Sequence, residues 1–139
     1  DNFPWYYNDR ISTGKDPSLF MYFTHNIYRE PDIKSNWFHL FQGFLNKLRY
    51  KRLLRIKANL HMRQDKIRKN KYHVDYSFKH KGCLFYINEN NGYTSFKEDN
   101  IQVRPKENRA VFFDPSIKHC SAACSDKKRR ININFNYEN

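Results

Sequence analysis

The eight residues Arg130–Tyr137, with the sequence RININFNY, alternate strictly between polar and apolar side chains. Successive side chains of a β-strand point to opposite faces, so this period of two predicts a strand with one polar and one apolar face. Two interpretations of the polar face stay open. It lines a buried site, where Arg130 would be costly to bury without a charged ligand, or it faces water while the apolar face packs on the core.

Short segments of similar character come before this strand. We predict strands at residues 53–62, 82–88, 94–96, 101–103 and 110–113, because these runs are alternating or continuously apolar and end at polar turns. Asn91-Gly92 and Asp114-Pro115 are turn signals. Many short strands separated by turns favour a sandwich or barrel, and a jelly roll is one way to close such a set.

The first fifty residues have a different sequence pattern. Residues 1–34 are aromatic and irregular, although 19–23 could form a strand. Ser35 or Asn36 can cap a helix whose apolar residues recur at three- and four-residue steps from Trp37 to Leu48, and we expect that face to pack against the sheet. The prediction is a single domain over 1–139, mainly β with one N-terminal helix. It has a support region at 1–50 and a jelly-roll core at 51–139.

The chain is strongly basic, with a formal net charge of +12 and a pI of about 9.7, which favours polyanionic partners such as nucleic acid. Asp65 is the only acid among eleven basic residues between positions 47 and 71. These are Lys47, Arg49, Lys51, Arg52, Arg55, Lys57, Arg63, Lys66, Arg68, Lys69 and Lys71. A nucleic-acid track with interleaved aromatics and a solvated charge run are both compatible with this pattern.

The number of cysteines and the hydropathy of the chain indicate the cellular compartment in which we expect the protein. The chain has three cysteines and no secretory signal, which favours a reducing, cytoplasmic setting over a disulfide framework. No run of about 18 apolar residues is present, so we expect no membrane span. Cys120 and Cys124 could supply half of a zinc site, but no second pair of cysteines stands at ligand spacing.

A histidine and an aspartate two residues apart, His73 and Asp75, would point to the same side of an extended strand. His119, which follows a predicted strand and a turn, is the best candidate for a third ligand. Two imidazoles and one carboxylate suit non-haem iron(II) and leave coordination positions open for a 2-oxo acid and O₂. Arg130, eleven residues after His119, could bind the far carboxylate of that acid if an intervening turn pairs their two strands.

The ordered set of motifs resembles the 2-oxoglutarate/iron(II) dioxygenase superfamily, most closely its prolyl-4-hydroxylase-like branch. The set consists of His73-x-Asp75, Tyr86-Ile87-Asn88, Gly92–Phe96, Pro105, Asn108–Phe113, His119 and Arg130-x-Asn132. Its closing strand and its Phe3–Tyr7 start are similar to short oxygenases of marine bacteriophages, which would place the protein in the cytoplasm of a host cell. A relative of this kind often has glycine soon after the distal histidine, where this chain has Cys120-Ser121-Ala122.

The resemblance implies a double-stranded β-helix, the cupin-like jelly roll, with His73, Asp75 and His119 as iron ligands. It implies that Arg130 binds the far carboxylate of 2-oxoglutarate, with Arg129 as the alternative if the register slips by one. Further co-substrate contacts are expected from Tyr86, Asn59 and Asn132, the last as in the AlkB-like repair branch, with no catalytic side chain beyond the ligands. The expected partner is a protein or peptide substrate, or nucleic acid. A non-catalytic jelly-roll binding module and a cupin-like site for zinc or another metal are the remaining alternatives, and no pattern predicts the oligomeric state.

Overall fold

The computed structural model describes residues 2–8 and 22–139. In these residues the strands are β1 (Tyr6–Asn8), β2 (Tyr22–Arg29), β3 (Asp32–Ile33), β4 (Arg52–Met62), β5 (Lys81–Tyr86), β6 (Tyr93–Phe96), β7 (Ile101–Val103), β8 (Arg109–Phe113), β9 (His119–Ala122) and β10 (Arg129–Glu138). A 3₁₀ helix covers Asn36–Phe41 and leads directly into α1 at Gln42–Leu48. The described part of the chain is therefore mainly β, with one short helical segment.

The strands form two antiparallel sheets. The major sheet has the order β1-β2-β4-β10-β5-β8, with β3 also paired to β2, and the minor sheet has the order β7-β6-β9. Backbone bridges Lys69–Ala122 and His73–His119 lay the segment 69–73 along the free edge of β9, so that it acts as a further strand of the minor sheet. The predicted jelly roll is confirmed.

The outer face of the major sheet carries the hydrophobic core. The Ser35 hydroxyl accepts a hydrogen bond of 3.1 Å from the Trp37 amide and so caps the helical segment, as predicted. Leu45 and Leu48 of α1 are buried against apolar side chains of β4, β5 and β10. The ring of Phe44 lies 4.7 Å from that of Phe135, centroid to centroid. The amphipathic helix thus covers one side of the sheet and leaves the other side for the site.

The inner face of the same sheet is polar. On β4 it presents Arg55, Lys57, Asn59 and His61, and on β10 it presents Arg130, Asn132, Asn134 and Asn136. Ile133 and Phe135 pack in the core while Arg130 is 0 % exposed on the opposite side, so both faces of β10 are buried. The interpretation in which Arg130 faces water is wrong.

The sequence patterns missed β1, β3, β9 and most of β2, and one predicted pairing is wrong. The irregular N-terminal region contains β2, an eight-residue strand beside β4; residues 19–21 of the possible strand lie outside the described residues. The four-residue strand β9 was also missed, and β5 ends at Tyr86 rather than at Asn88. The turn after β9 does not join a hairpin with β10, because β9 pairs with β6 in the minor sheet and β10 with β4 and β5 in the major sheet.

No described helix has the length and apolarity needed to cross a bilayer. The three thiols, Cys83, Cys120 and Cys124, are buried and free.

Candidate metal centre

Two histidines from distant parts of the chain are fixed side by side by their backbones. The His73 amide donates to the His119 carbonyl and the His119 amide donates to the His73 carbonyl, each at 2.9 Å. The two imidazole centroids are 4.7 Å apart. The Asp75 amide donates to the Pro115 carbonyl at 3.0 Å, which ties the next turn of the chain to the loop before β9. The minor sheet therefore sets the positions of His73 and His119, and the loop before β9 sets the backbone position of Asp75.

The three side chains converge. One possible ligand atom from each of His73, Asp75 and His119 lies within 4.8 Å of the other two. Among residues 2–8 and 22–139 this is the only grouping of His, Cys, Asp and Glu close enough to share a metal, and neither Cys120 nor Cys124 belongs to it. The zinc half-site considered for that cysteine pair therefore has no further ligand among the described residues.

The Asp75 carboxylate is held by the inner face of the major sheet. Its Oδ2 accepts hydrogen bonds of 2.9 Å from the amides of both Asn134 and Asn136, and its Oδ1 lies 2.8 Å from Nη2 of Arg55. Burial raises the pKa of this carboxyl, but the Arg55 charge and the two amide donors prevail and bring it below its usual value. Asp75 is therefore an anion at neutral pH, as a metal ligand must be.

The His73 imidazole is in the neutral form that binds metals, and a contact of His119 selects which of its nitrogens can coordinate. Burial, reinforced by the proximity of His119, lowers the pKa of His73 to about 4, so this ring is neutral over the physiological range. His119 Nδ1 lies 2.9 Å from the Ile117 carbonyl, which can only accept a hydrogen bond. This contact assigns a hydrogen to Nδ1 of His119, which leaves Nε2 as the ring nitrogen able to coordinate a metal.

Arg130 is a buried cation without a counter-ion among the described residues. Its Nη2 donates to the Thr94 hydroxyl at 3.0 Å, but its Nε and Nη1 atoms are buried and have no hydrogen-bond partner. Native proteins pair most buried donors, so two orphaned guanidinium nitrogens indicate a missing acceptor. Neighbouring Arg129 is exposed, so the register places Arg130, not Arg129, at the site.

Arg130 shares one cavity with the metal cluster. His73, Asp75, His119 and Arg130 all line a space of about 490 Å³, counting the part that is open to solvent. Thr94 lines it too. A carboxylate can accept two parallel hydrogen bonds from a guanidinium, and the oxo-acid end of the same molecule can bind a metal. The donor set and the orphaned nitrogens of Arg130 therefore fit iron(II) together with a 2-oxo dicarboxylic acid.

The other predicted contacts differ in their placement. Asn59 and Asn132 line the cavity, and the Asn59 amide donates to the Asn132 side-chain oxygen at 2.9 Å. Tyr86 is fully buried and does not line the cavity. Its hydroxyl instead donates to Thr94 Oγ1 at 2.8 Å, the same oxygen that accepts from Arg130. Tyr86 is thus placed to orient Thr94 and Arg130 rather than to touch a ligand directly.

The cavity residues Tyr22 and Lys57, and Arg55 beside Asp75, were not singled out from the sequence. Tyr22 lies at the start of β2, donates its hydroxyl to Asn59 and stacks on His61 at 4.7 Å. Arg55 and Lys57 were counted only as part of the basic run. The signal that could have found them is the alternation of β4, which places both on the face of Asn59 and His61.

Known proteins were compared with this chain by sequence and by structure. No protein-family model matches it, and no curated protein matches it. A structure of a 2OG-Fe(II) oxygenase-family oxidoreductase from Burkholderia pseudomallei aligns with a TM-score of 0.68 at 10 % identity, over 97 % of this chain and 73 % of that one. A prolyl-4-hydroxylase from Pseudomonas putida aligns with a TM-score of 0.62 at 12 % identity, over 96 % and 78 %.

The fold is also found in a protein of another reaction class. A structure of the DMSP lyases RdDddP and RnDddQII aligns with a TM-score of 0.58 at 5 % identity, over 94 % of this chain and 55 % of that one. At such identities the likeness establishes the jelly-roll fold and leaves the chemistry to be argued from the site.

Proposed function

We propose that this protein is an iron(II)- and 2-oxoglutarate-dependent dioxygenase that hydroxylates a side chain of a protein or peptide. His73, Asp75 and His119 would hold the iron, and Arg130 would bind the far carboxylate of 2-oxoglutarate. With both bound, one atom of O₂ enters a substrate C–H bond to give an alcohol, and the other enters 2-oxoglutarate, which leaves as succinate and CO₂.

The observation that carries this proposal is the unpaired Arg130 guanidinium in the cavity of the ligand cluster. Metal binding alone does not require a fully buried cation, and burial of a cation without an anion carries a large desolvation free-energy cost. A dicarboxylic 2-oxo acid accounts for it, since one end of the acid binds the metal and the other supplies the missing acceptor. Asn59, Asn132 and Thr94, which line the space, offer further polar contacts.

The protein itself contributes position and protonation state. The minor sheet positions the two imidazoles, of which His73 is neutral, while side chains of the major sheet hold Asp75 ionised and present the charged Arg130. Because His119 and Arg130 lie on strands and the segments at His73 and Asp75 are tied to β9 and to the loop before it, the spacing of these groups is set before any ligand arrives, and little reorganisation is needed.

The decisive experiment is an anaerobic titration of the metal-free protein with iron(II) and 2-oxoglutarate, followed by the visible charge-transfer absorption of the bidentate complex. Succinate release on admission of air is the second readout. We expect both signals from the wild-type chain and neither from His73→Ala. Binding of iron without the absorption band, together with no succinate, would favour a cupin-like site of another chemistry.

A protein or peptide substrate is favoured by the likeness to a prolyl-4-hydroxylase and by the prolyl-hydroxylase-like motifs. The panel that tests this consists of proline-containing peptides and oligonucleotides, scored by stimulation of succinate release. We expect the peptides, and not the oligonucleotides, to stimulate succinate release.

We infer a cytoplasmic setting for the protein. If the resemblance to phage oxygenases extends to the origin of the gene, this is the cytoplasm of the host cell.

A nucleic-acid substrate is the second candidate, and a specific observation supports it. Arg63, Lys66 and Lys69 are exposed on the segment that leads to His73, where only Asp65 offsets them. Phosphate contacts from such a rim would make binding fall steeply with salt. Stimulation by single-stranded oligonucleotides and not by peptides would decide for base oxidation or demethylation.

A non-catalytic binding module is the remaining rival. It would bind no metal, or would bind it without turning over 2-oxoglutarate, either coupled or uncoupled. The intact ligand set and the cavity speak against it, since a module that only inherited the fold has no need to keep Asp75 ionised among three donors.

A further inference from the structure

A second cation faces the cavity and is unused by the proposed chemistry. Lys57 lies on β4 between Arg55 and Asn59, on the polar inner face, and lines the cavity. Its side chain is partly buried. Among the described residues, none accepts a hydrogen bond from its ammonium or forms a salt bridge with it. Lysine is rarely placed in a protein interior without an anion beside it.

The strand register shows at which end of the cavity Lys57 lies. Along the β4–β10 pair, Arg130 is opposite His61, Asn132 is opposite Asn59, and Asn134 is opposite Lys57. Asn134 donates to Asp75, so Lys57 is level with the metal ligands. Four residues separate Lys57 from the row of Arg130, which is roughly 13 Å along a strand. The row of Arg130, which would hold the far carboxylate of the co-substrate, is therefore a different row of the cavity from that of Lys57.

Formal charges at the metal end leave Lys57 uncompensated even in the loaded site. The far carboxylate of the 2-oxo acid neutralises Arg130. The two charges of iron(II) are matched by Asp75 and by the near carboxylate of the same acid. Arg55 and Lys57 then remain without a matching charge, but Arg55 keeps polar partners in Asp75 and in the Asn136 side-chain oxygen at 3.0 Å, whereas Lys57 has none among the described residues. Lys57 is the group still able to receive an anion.

We propose that Lys57 binds a carboxylate of the primary substrate, so that the substrate is an acid whose anionic group lies beside the carbon to be oxidised. This inference rests on the proposed function. An ammonium is a compact point charge that suits a single small anion within a cavity, whereas planar bidentate recognition would call for arginine. The carboxylate has two possible sources: an acidic side chain of a polypeptide or a free small acid.

The first test measures the anion site without turnover. The protein is loaded with Mn(II) and N-oxalylglycine, a non-reactive analogue of the co-substrate, and ¹³C-acetate serves as the carboxylate probe. Relaxation of the acetate carbon by Mn(II) reports binding close to the metal. We expect saturable binding to the wild-type chain, at least tenfold weaker binding to Lys57→Met, and partial recovery in Lys57→Arg. Lys47→Met, at an exposed position on α1, is the control and should bind acetate as the wild-type chain does.

The outcomes separate this inference from the proposed function. A wild-type chain that binds neither Mn(II) nor N-oxalylglycine would refute the proposed function. Normal binding of both, with acetate affinity unchanged in Lys57→Met, would overturn only the role of Lys57, because acetate would then be coordinating the metal directly. A loss of N-oxalylglycine affinity in Lys57→Met, with acetate unaffected, would assign Lys57 to the co-substrate and also overturn it.

The second test identifies the source of the carboxylate. Succinate release is measured with matched pairs that differ only in the acid: aspartyl and asparaginyl peptides, glutamyl and glutaminyl peptides, and free aspartate and asparagine. We expect acids to stimulate at least tenfold more than their amides, and this preference to disappear in Lys57→Met. Stimulation by peptides points to a polypeptide and stimulation by free acids to a metabolite. Equal effects of acids and amides, or no effect of any acid on an active preparation, would contradict the proposal.

Discussion

Nη2 of Arg55 lies 2.8 Å from Oδ1 of Asp75, so a guanidinium from the major sheet pairs with a carboxylate that the minor-sheet side of the cavity presents. Both side chains are largely buried, with exposed fractions of 15 % and 6 %. In the absence of a metal, Arg55 is the counter-ion that makes an ionised Asp75 tolerable in the interior. A bound cation would take over part of that role, so the pair couples metal binding to the stability of the fold.

The first prediction concerns this pair. Arg55→Met should destabilise the metal-free protein by roughly 3–5 kcal/mol, because it leaves a buried carboxylate without its partner. Excess Mn(II) should restore most of the lost stability, since a ligand that binds the folded state stabilises it. The measurement is the free energy of unfolding in urea with and without the ion. Arg52→Met is the control: Arg52 pairs with Glu30 and Glu138 at the surface, so its loss should matter little and metal should not change the effect. Equal metal rescue of both variants would contradict the coupling.

The second prediction concerns Arg130. Removal of its guanidinium in Arg130→Ala should raise the 2-oxoglutarate concentration required for half-maximal succinate release by roughly 10–100-fold, the worth of a charge-assisted hydrogen bond or two. Iron binding should persist, because the three ligands lie on other elements. Arg129→Ala removes the exposed neighbour and should leave the 2-oxoglutarate requirement unchanged. If Arg129→Ala has the larger effect, the placement of the anchor is wrong.

Local sequence pattern predicted the elements whose two faces differ in chemistry. The alternation of Arg130–Tyr137 predicted β10 to within a residue at each end, and the three- and four-residue spacing predicted the helical segment. The spacing of His73 and Asp75 and the position of His119 placed a ligand set that the structure brings together. In each case the pattern reflects a burial requirement that a short stretch of chain already contains.

The sequence-based predictions that were wrong concern elements whose structure depends on contacts between distant segments of the chain. The strand β9 has four residues, HCSA, with no alternation of its own, and its conformation comes from pairing with β6 and with the segment at His73. The expected hairpin failed because the turn between β9 and β10 crosses from one sheet to the other. There the Cys124 and Lys128 carbonyls accept hydrogen bonds from the amides of Gln64 and Arg63. The role of the basic residues on β4 could not be predicted, because the sequence pattern of a strand is the same whether its lysine faces solvent or a charged cavity.

The third prediction concerns acid stability. Burial, followed by the charge of Arg130, holds the pKa of His61 well below its ordinary value, and burial also lowers the pKa values of His25 and His73. Below about pH 6.5 these histidines therefore bind protons in the unfolded chain but not in the folded state. The stability that these neutral rings contribute is present above that pH and is lost as the pH falls, by up to about 1.4 kcal/mol per pH unit for each fully shifted histidine.

The change that tests this is His61→Gln, measured as the free energy of unfolding of the metal-free protein between pH 5 and 6.5. The slope should fall by up to about 1.4 kcal/mol per pH unit relative to the wild-type chain, even though loss of stacking on Tyr22 lowers stability at every pH. His39→Gln, at an exposed position, controls for the loss of a histidine as such. An unchanged slope in His61→Gln would mean that the buried ring does not resist protonation.

The last prediction uses two glycines that differ in their surroundings. A Cβ on Gly92 would lie 2.7 Å from the Ala122 carbonyl oxygen and 3.1 Å from Cδ of Arg130. Since the oxygen belongs to the backbone, the β6 end of the turn must shift, and the Arg130 side chain must move with it. Gly92→Ala should therefore lower both stability and 2-oxoglutarate affinity, the latter seen as a weaker charge-transfer titration. Gly43→Ala meets nothing within 4 Å on α1 and should stabilise the fold by up to about 1 kcal/mol with no change in affinity. A destabilised Gly92→Ala variant that binds 2-oxoglutarate normally would show that Arg130 is held by Thr94 alone, because the shifted turn would then leave the guanidinium in place.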